Sequence, residues 1–359
     1  MADNDEKFLT LQEFAKAARD TLSVPSWDYL MGGAETETTL IRNRQALDSI
    51  AFRPRILRDV EAVNTEVTLL GHQLRLPVLL APIGSLQDFV DDGGTVPTKA
   101  AARFGVMHML SSVCAPGLEQ VAAAADYPKI FQLYVRGDHE FIDDHISRAI
   151  DAGYVGFCFT VDLDAYGRRE RDLAKRYKTT ARQSASGEHH QMKLSWDDIK
   201  RVRDKYDVPL ILKGIATAED ASLALEHGVD VIYVSNHGGR QLDHGRGGLD
   251  VLPEIVDVVS AKAEIIFDGG IMRGSDVVKA MALGANAVGI GRLQGLAAAA
   301  DGEDGIVRML EILELEVIGV LRLLGVQNFD QLNASYIHAC APVRSGGPLT
   351  AFPLLGEGY

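Results

Sequence analysis

The sequence predicts an α/β fold, a closed (β/α)8 (TIM) barrel with an N-terminal helical segment and a lid loop after the fourth strand. Three observations predict it. From about residue 76, short apolar runs alternate with helical patterns, the order of a parallel sheet whose crossovers are helices. Eight such runs occur, and eight is the count at which a parallel sheet closes on itself. No G-x-G-x-x-G follows the first run, which argues against an open dinucleotide-binding sheet.

The elements follow in order. Residues 8–50 read as helices over Leu9–Leu22, Trp27–Met31 (behind Pro25) and Glu35–Ile50, with Gly32-Gly33 as a helix stop. The strands are expected at Leu76–Pro82, His108–Ser111, Ile130–Tyr134, Val155–Val161, Leu210–Lys213, Val231–Ser235, Ile265–Asp268 and Ala287–Ile290. Between and after them, helices are expected over Thr95–Phe104, Gly117–Ala125, His139–Ala152, Ala218–His227, Leu249–Ser260, Gly274–Ala282 and Gly305–Leu323. The connection 163–209 is too long for an ordinary barrel loop. Its weakly patterned centre, Lys178 to His190, reads as a lid over the active face. No linker or repeat divides the chain, so a single domain over 1–359 is expected, residues 1–75 forming its helical extension.

Composition narrows the function. With 47% hydrophobic and 24% charged residues the chain has ample core, and a net charge of −14 offers no basic face to a nucleic acid. Cys114, Cys158 and Cys340 are too scattered for a disulfide framework or a zinc site, which suits a reducing cytoplasm. His189-His190 lacks neighbouring ligands, so no metal is expected. The acidic N-terminus has no secretion signal, and the most apolar helix, around Leu310–Val326, carries four charges, so no membrane span is expected. The C-terminus is not a peroxisomal address.

In a barrel the polar groups at strand C-termini carry the chemistry. Here they are Ala81-Pro82-Ile83-Gly84, Ser111-Ser112, Gln132 with Tyr134, Thr160 with Asp162, Lys213, Ser235 with His237 and Arg240, Asp268-Gly269-Gly270, and Gly291-Arg292. His237 and Arg240 put a base and a fixed cation on one glycine-softened loop, which suits a substrate with a removable proton and a carboxylate. The glycines and arginines after strands seven and eight suit a phosphate-bearing cofactor.

These residues resemble the FMN-dependent L-2-hydroxy acid oxidases and dehydrogenases, the glycolate, lactate and mandelate enzymes. The resemblance runs from about Phe14 to Leu324. It rests on Ala34-Glu35, Asn43-Arg44, Phe52-Arg53-Pro54-Arg55, Phe131–Tyr134, Gly167–Glu170, Leu212–Gly214, Ser235–Gln241 and Asp268–Gly270. It implies FMN held by Ala81, Pro82, Ile83, Gly84, Ser111, Gln132, Thr160, Lys213, Ser235, Asp268, Gly269, Gly270, Gly291 and Arg292. It also implies His237 as the base, Asp162 as its orienting carboxylate, and Lys213 opposite negative charge on the flavin. Arg169 and Arg240 would hold the substrate carboxylate, with Tyr29 and Tyr134 bonding carboxylate or hydroxyl. A soluble homotetramer or octamer is the assembly it implies.

Departures from the family pattern shape three further expectations. Met272 stands where relatives carry an arginine, so the phosphate contact is expected either from Arg273 or from backbone amides alone. Val113 replaces a tryptophan found in some relatives and enlarges the pocket, while an inward Asp164, beside Tyr166, would disfavour a second carboxylate on the substrate. Gly84 occurs in relatives that use oxygen poorly or retain product, so O2 and other acceptors both stay open, although no haem domain precedes residue 8. The alternative on the same scaffold is a flavin-dependent tailoring oxidase, or a decarboxylating monooxygenase, acting on a larger or modified substrate.

Overall fold

The computed structural model describes residues 7–183 and 190–358. Eight parallel strands form a closed barrel: β1 (Val78–Leu80), β2 (Met107–Ser111), β3 (Lys129–Leu133), β4 (Gly156–Thr160), β5 (Leu210–Ile215), β6 (Val231–Val234), β7 (Glu264–Asp268) and β8 (Ala287–Ile290). Each pairs with the next, and β8 returns to β1 through Val288 opposite Val78. Both faces of these strands are covered, which is why they read as unbroken apolar runs rather than alternating ones. After them come the helices α1 (Thr95–Phe104), α2 (Leu118–Ala123), α3 (His139–Asp151), α4 (Trp196–Lys205), α5 (Ala218–Glu226), α6 (Gly248–Val259), α7 (Gly274–Ala282) and α8 (Arg292–Leu324).

The expected elements appear, with two adjustments. The last helix starts at Arg292 instead of Gly305, bending where Asp301 and Gly302 leave helical geometry. Helix Thr38–Asp48 begins later than Glu35, because Glu35 and Glu37 sit at positive φ. Two pairings were not anticipated. Hairpin Val67–Leu69/His72–Leu74 plugs the N-terminal mouth of the barrel with Leu69 and Leu74, and Ile50–Phe52 pairs antiparallel with Ile337–Ala339. Among the described residues no helix is long and apolar enough to cross a membrane. His189 of the His189-His190 pair lies outside the described residues, and no cluster of potential metal ligands occurs within them.

The N-terminal helices matter because they reach the active face. Helix Leu11–Thr21 is opened by a capping box of Thr10 and Glu13, and its helical-period stripe Leu11, Phe14, Ala15, Ala18 is buried against α8. Helix Val24–Met31 then carries Tyr29 to the cavity rim. Helix Thr38–Asp48 is clamped under the barrel loops: Asn43 exchanges hydrogen bonds with Asn236 at 2.9 and 2.7 Å, and Arg44 pairs with Asp276 at 2.7 Å.

Inside the barrel, Tyr233 and Gly289 are matched in volume. A β-carbon on Gly289 would lie 1.9 Å from the Tyr233 hydroxyl. Gly289→Val is therefore expected to cost about 1–3 kcal/mol or more through overpacking. Urea unfolding would measure this, and adding Tyr233→Val in the same chain should recover part of the loss. An unchanged midpoint for the single variant would refute the fit.

Candidate active site

The C-terminal mouth of the barrel opens into a cavity of about 370 Å³, within the range of small-ligand and cofactor sites. Strand β6 ends at Val234, and the loop beyond it turns through left-handed backbone at His237 (φ 59°), Gly238 (φ 63°) and Gly239 (φ 76°). Gly239 must be glycine for a second reason, since a β-carbon there would sit 2.5 Å from the backbone nitrogen of Leu40. The loop is thus wedged against the N-terminal segment, and a left-handed histidine, which costs about 1–3 kcal/mol, is held in place. His237 Nδ1 lies 2.9 Å from Asp162 Oδ1, and Nε2 lies 3.3 Å from the Tyr134 hydroxyl.

Those distances assign the protons. An ionised carboxylate only accepts, so Nδ1 donates to Asp162 and the lone pair of Nε2 faces the cavity. Burial pulls His237 below its ordinary value, more strongly than Asp162 pulls it up, so the ring is neutral at neutral pH. Burial works the opposite way on Asp162, but His237 and the Lys213 charge outweigh it and hold the carboxyl below its usual range. Burial, then the Asp162 charge, raises the Tyr134 phenol well above its ordinary value, so it stays protonated as a donor.

Beside this chain stand two guanidiniums. Arg240 Nη1 donates to the carbonyls of Tyr29 (2.6 Å) and Gly32 (3.1 Å), which fixes one edge of the fork, and the group lies 4.6 Å over the Tyr29 ring. Arg169 is buried, bonds the Tyr166 hydroxyl and lies 4.1 Å from that ring. Burial and the Arg169 charge both lower Arg240, the signature of a desolvated cation pair that an anion would relieve.

The floor is a second network. Lys213 Nζ donates to Ser235 Oγ at 2.8 Å, Ser235 donates to Asp268 at 2.6 Å, and Lys213 also pairs with Asp268 at 3.1 Å. Burial opposes the Lys213 charge, but Asp268 and Asp162 overcome it and raise the ammonium above its usual value. Gly214 bulges β5 at positive φ, and a β-carbon there would strike Asp162 at 2.7 Å, so this glycine lets the two networks approach. Both polar atoms of the Gln132 amide and the Thr160 hydroxyl are buried without a partner among the described residues. Buried amides are paired in folded proteins, so these groups call for a bound molecule with donors and acceptors of its own.

One wall of the cavity is built by the loops after β7 and β8. Gly269, Gly270, Gly291 and Arg292 line it at the start of α8, and a β-carbon on Gly291 would meet open space. Arg292 donates to the carbonyls of Gly238 (2.9 Å) and Gly32 (2.7 Å). Burial, reinforced by Arg240 and Arg169, pulls its value down to about 9.

The strand ends bring together most residues singled out in the sequence. Tyr29, Ala81, Pro82, Ile83, Gly84, Val113, Tyr134 and Arg169 line the cavity, as do Lys213, His237, Arg240, Asp268 and the glycines with Arg292. Ser111, Gln132, Thr160 and Ser235 are buried at the strand ends, and Asp162 stands behind His237. Two expectations are corrected. Arg273 does not line the cavity; its guanidinium pairs with Glu316 at 2.6 Å, a partner on α8 that local sequence could not reveal. Asp164 is solvent-exposed and absent from the lining, so it does not guard against a second carboxylate; Tyr166, itself partly exposed, does line the cavity. Sequence reasoning also missed Arg136 and Arg182, which line the cavity, and Gln191, which donates to the Thr160 carbonyl at 2.8 Å. Arg136 lies two residues beyond Tyr134, a spacing that could have flagged it.

Comparison with known proteins agrees with this geometry. Residues 18–339 match the family described as FMN-dependent dehydrogenase. The chain is 37% identical to the 4-hydroxymandelate oxidase of Amycolatopsis orientalis, over 89% of this chain and 96% of that one. It is 37% identical to the L-lactate oxidase of a Nostoc species (92% and 98%) and 35% identical to glycolate oxidase 3 of Arabidopsis thaliana (91% and 95%). A crystal structure of mandelate oxidase with (S)-2-phenylpropionate superposes with a TM-score of 0.87 at 37% identity, covering 94% of this chain and all of that one. A barrel whose polar strand ends converge on one cavity, matched along nearly its whole length by these enzymes, places the chain in the FMN-dependent 2-hydroxy acid oxidase and dehydrogenase family.

Proposed function

We propose that this enzyme oxidises an L-2-hydroxy acid to the 2-oxo acid, with FMN on the floor of the cavity. The observation that carries the reading is the Asp162–His237–Tyr134 chain opening beside Arg169 and Arg240: a neutral base, a proton donor and a carboxylate clamp around one space. The unpartnered Gln132 amide and Thr160 hydroxyl fit the polar edge of an isoalloxazine, and Lys213 would stand where that ring gains negative charge. Gly270, Gly291 and Arg292 would hold the phosphate.

Bound FMN supplies the acceptor for two electrons. The chain's own residues do the rest. Arg240, pinned by the Tyr29 and Gly32 carbonyls, offers its free edge to the carboxylate, and Arg169 adds a second guanidinium in the same cavity. His237 Nε2 takes a substrate proton, and Asp162 stabilises the imidazolium that results. Tyr134 donates to substrate oxygen, and Val113 leaves room for a side chain larger than that of glycolate.

The test is the visible spectrum of the purified protein under argon, before and after a panel of L-2-hydroxy acids. A flavin spectrum bleached by at least one of them is the expected result. A flavin spectrum unmoved by all, or a colourless protein that does not take up added FMN, would overturn the proposal.

A further inference from the structure

The site holds more cations than an α-carboxylate and a cofactor explain. Lys213 and Arg292 belong to the floor, and Arg169 with Arg240 to the carboxylate clamp. Two guanidiniums remain on the cavity wall. Arg136 stands beyond β3, half-buried, and burial lowers it below the ordinary guanidinium value. Arg182 comes from the short helix Thr180–Gln183 in the β4–β5 connection and lies 4.0 Å over the Tyr166 ring, so that Tyr166 is held between Arg169 and Arg182. Among the described residues neither guanidinium makes an ion pair.

Among the described residues, nearby acids do not neutralise them. Asp88 is occupied by Tyr177 and Thr180. Asp172 is buried, and burial raises it against the opposing charges of Arg240, Arg169 and Arg182, so one carboxyl faces three guanidiniums. Val113, Leu163 and Phe89 line the same cavity as apolar surface suited to a carbon chain. Arg136, half-buried and unpaired, is costly, and a ligand anion offsets that cost; Arg182 is solvent-exposed at the cavity mouth and adds its charge without that penalty.

We propose that the substrate carries a second anion: the side chain of the 2-hydroxy acid ends in a carboxylate, received by Arg136 and Arg182 while Arg169 and Arg240 hold the first. The substrate class is then a 2-hydroxy diacid, and the inference rests on the function proposed above. Arg136 and Arg182 act here as specificity residues, with no part in the proton transfer.

The experiment compares kcat/KM for L-2-hydroxyglutarate and L-2-hydroxyadipate with their uncharged terminal amides, in the holoenzyme and in Arg136→Gln, Arg182→Gln and the double variant. At least one diacid should exceed its amide by tenfold or more. That ratio should fall toward one in the double variant and shrink as salt rises from 50 to 500 mM, since the discriminating contact is ionic. A diacid no better than its amide, or a ratio unchanged by the substitutions, overturns the proposal. A phosphono-ended analogue preferred over both diacids would also overturn it, by assigning the pair to a phosphoryl group. If monoacids such as L-lactate or L-mandelate bleach the flavin while the diacids do not, this inference alone fails. If no hydroxy acid does, the function on which it rests fails with it.

Discussion

Replacing His237 with alanine is expected to slow flavin bleaching by an L-2-hydroxy acid by about 10²–10⁴-fold, the usual worth of a positioned base. FMN should remain bound, because the floor groups Lys213, Ser235 and Asp268 bond one another without the imidazole. The loss traces to one lone pair. Nδ1 is committed to Asp162, and only Nε2 faces the cavity. The same assignment sets the pH dependence. A base works when deprotonated, and burial draws His237 below the ordinary histidine value of about 6.5. The wild-type kcat/KM should therefore be flat through neutrality and fall only as pH drops through that lowered value. Stopped-flow reduction from pH 4.5 to 8 checks both statements. A variant reduced at near wild-type rate would falsify the assigned base, and an acid limb centred above 6.5 would contradict the direction of the shift.

The second large effect is at Asp162, which touches no reacting atom and acts through His237. Asp162→Asn preserves shape and removes the charge. The asparagine amide can turn its N–H₂ toward Nδ1, which then accepts, and the ring proton moves to Nε2. The base would face the substrate as a donor. A loss of about 10²–10³-fold in the reduction rate is expected, the scale at which a single preorganised polar group matters. Because the carboxylate also favours the imidazolium, any residual activity should show its acid limb at lower pH than the wild type. Lys213 should respond too, since Asp162 is one of the charges that keep it protonated, and a weakened FMN affinity would register that. Asp162→Glu, which restores charge with a longer reach, should recover part of the rate. An Asn variant with unchanged rate and profile would reduce Asp162 to a packing role.

Much of this is legible in the amino-acid sequence. Helix α7 and strand β8 lie where the pattern puts them, at Gly274–Ala282 and Ala287–Ile290, because a strand covered on both faces must be apolar throughout and a helix must repeat near 3.6. The hairpin at 67–74 escaped notice because its strands have three residues each and alternate in burial, too little for a period to register. The pair joining Ile50–Phe52 to Ile337–Ala339 escaped because its halves are distant in the chain.

The amino-acid sequence by itself determined the barrel, the identity of the group at each strand end and the turn that presents His237, since all of these follow from local periodicity and from where glycine relaxes the backbone. Pairing belonged to the tertiary structure. Arg273 and Glu316 are neighbours only because α7 packs on α8, which takes from Arg273 the phosphate contact its place in the chain suggested. Asp164 and Tyr166 are two residues apart and both reach solvent, yet only Tyr166 lines the cavity. Arg136 and Arg182 meet one cavity from separate connections, one just past β3 and the other in the long segment after β4. Hydrogen bonds and charge pairs act over a few ångströms of space regardless of separation along the chain, so the fold alone chose which of many charged side chains stand within reach of one another.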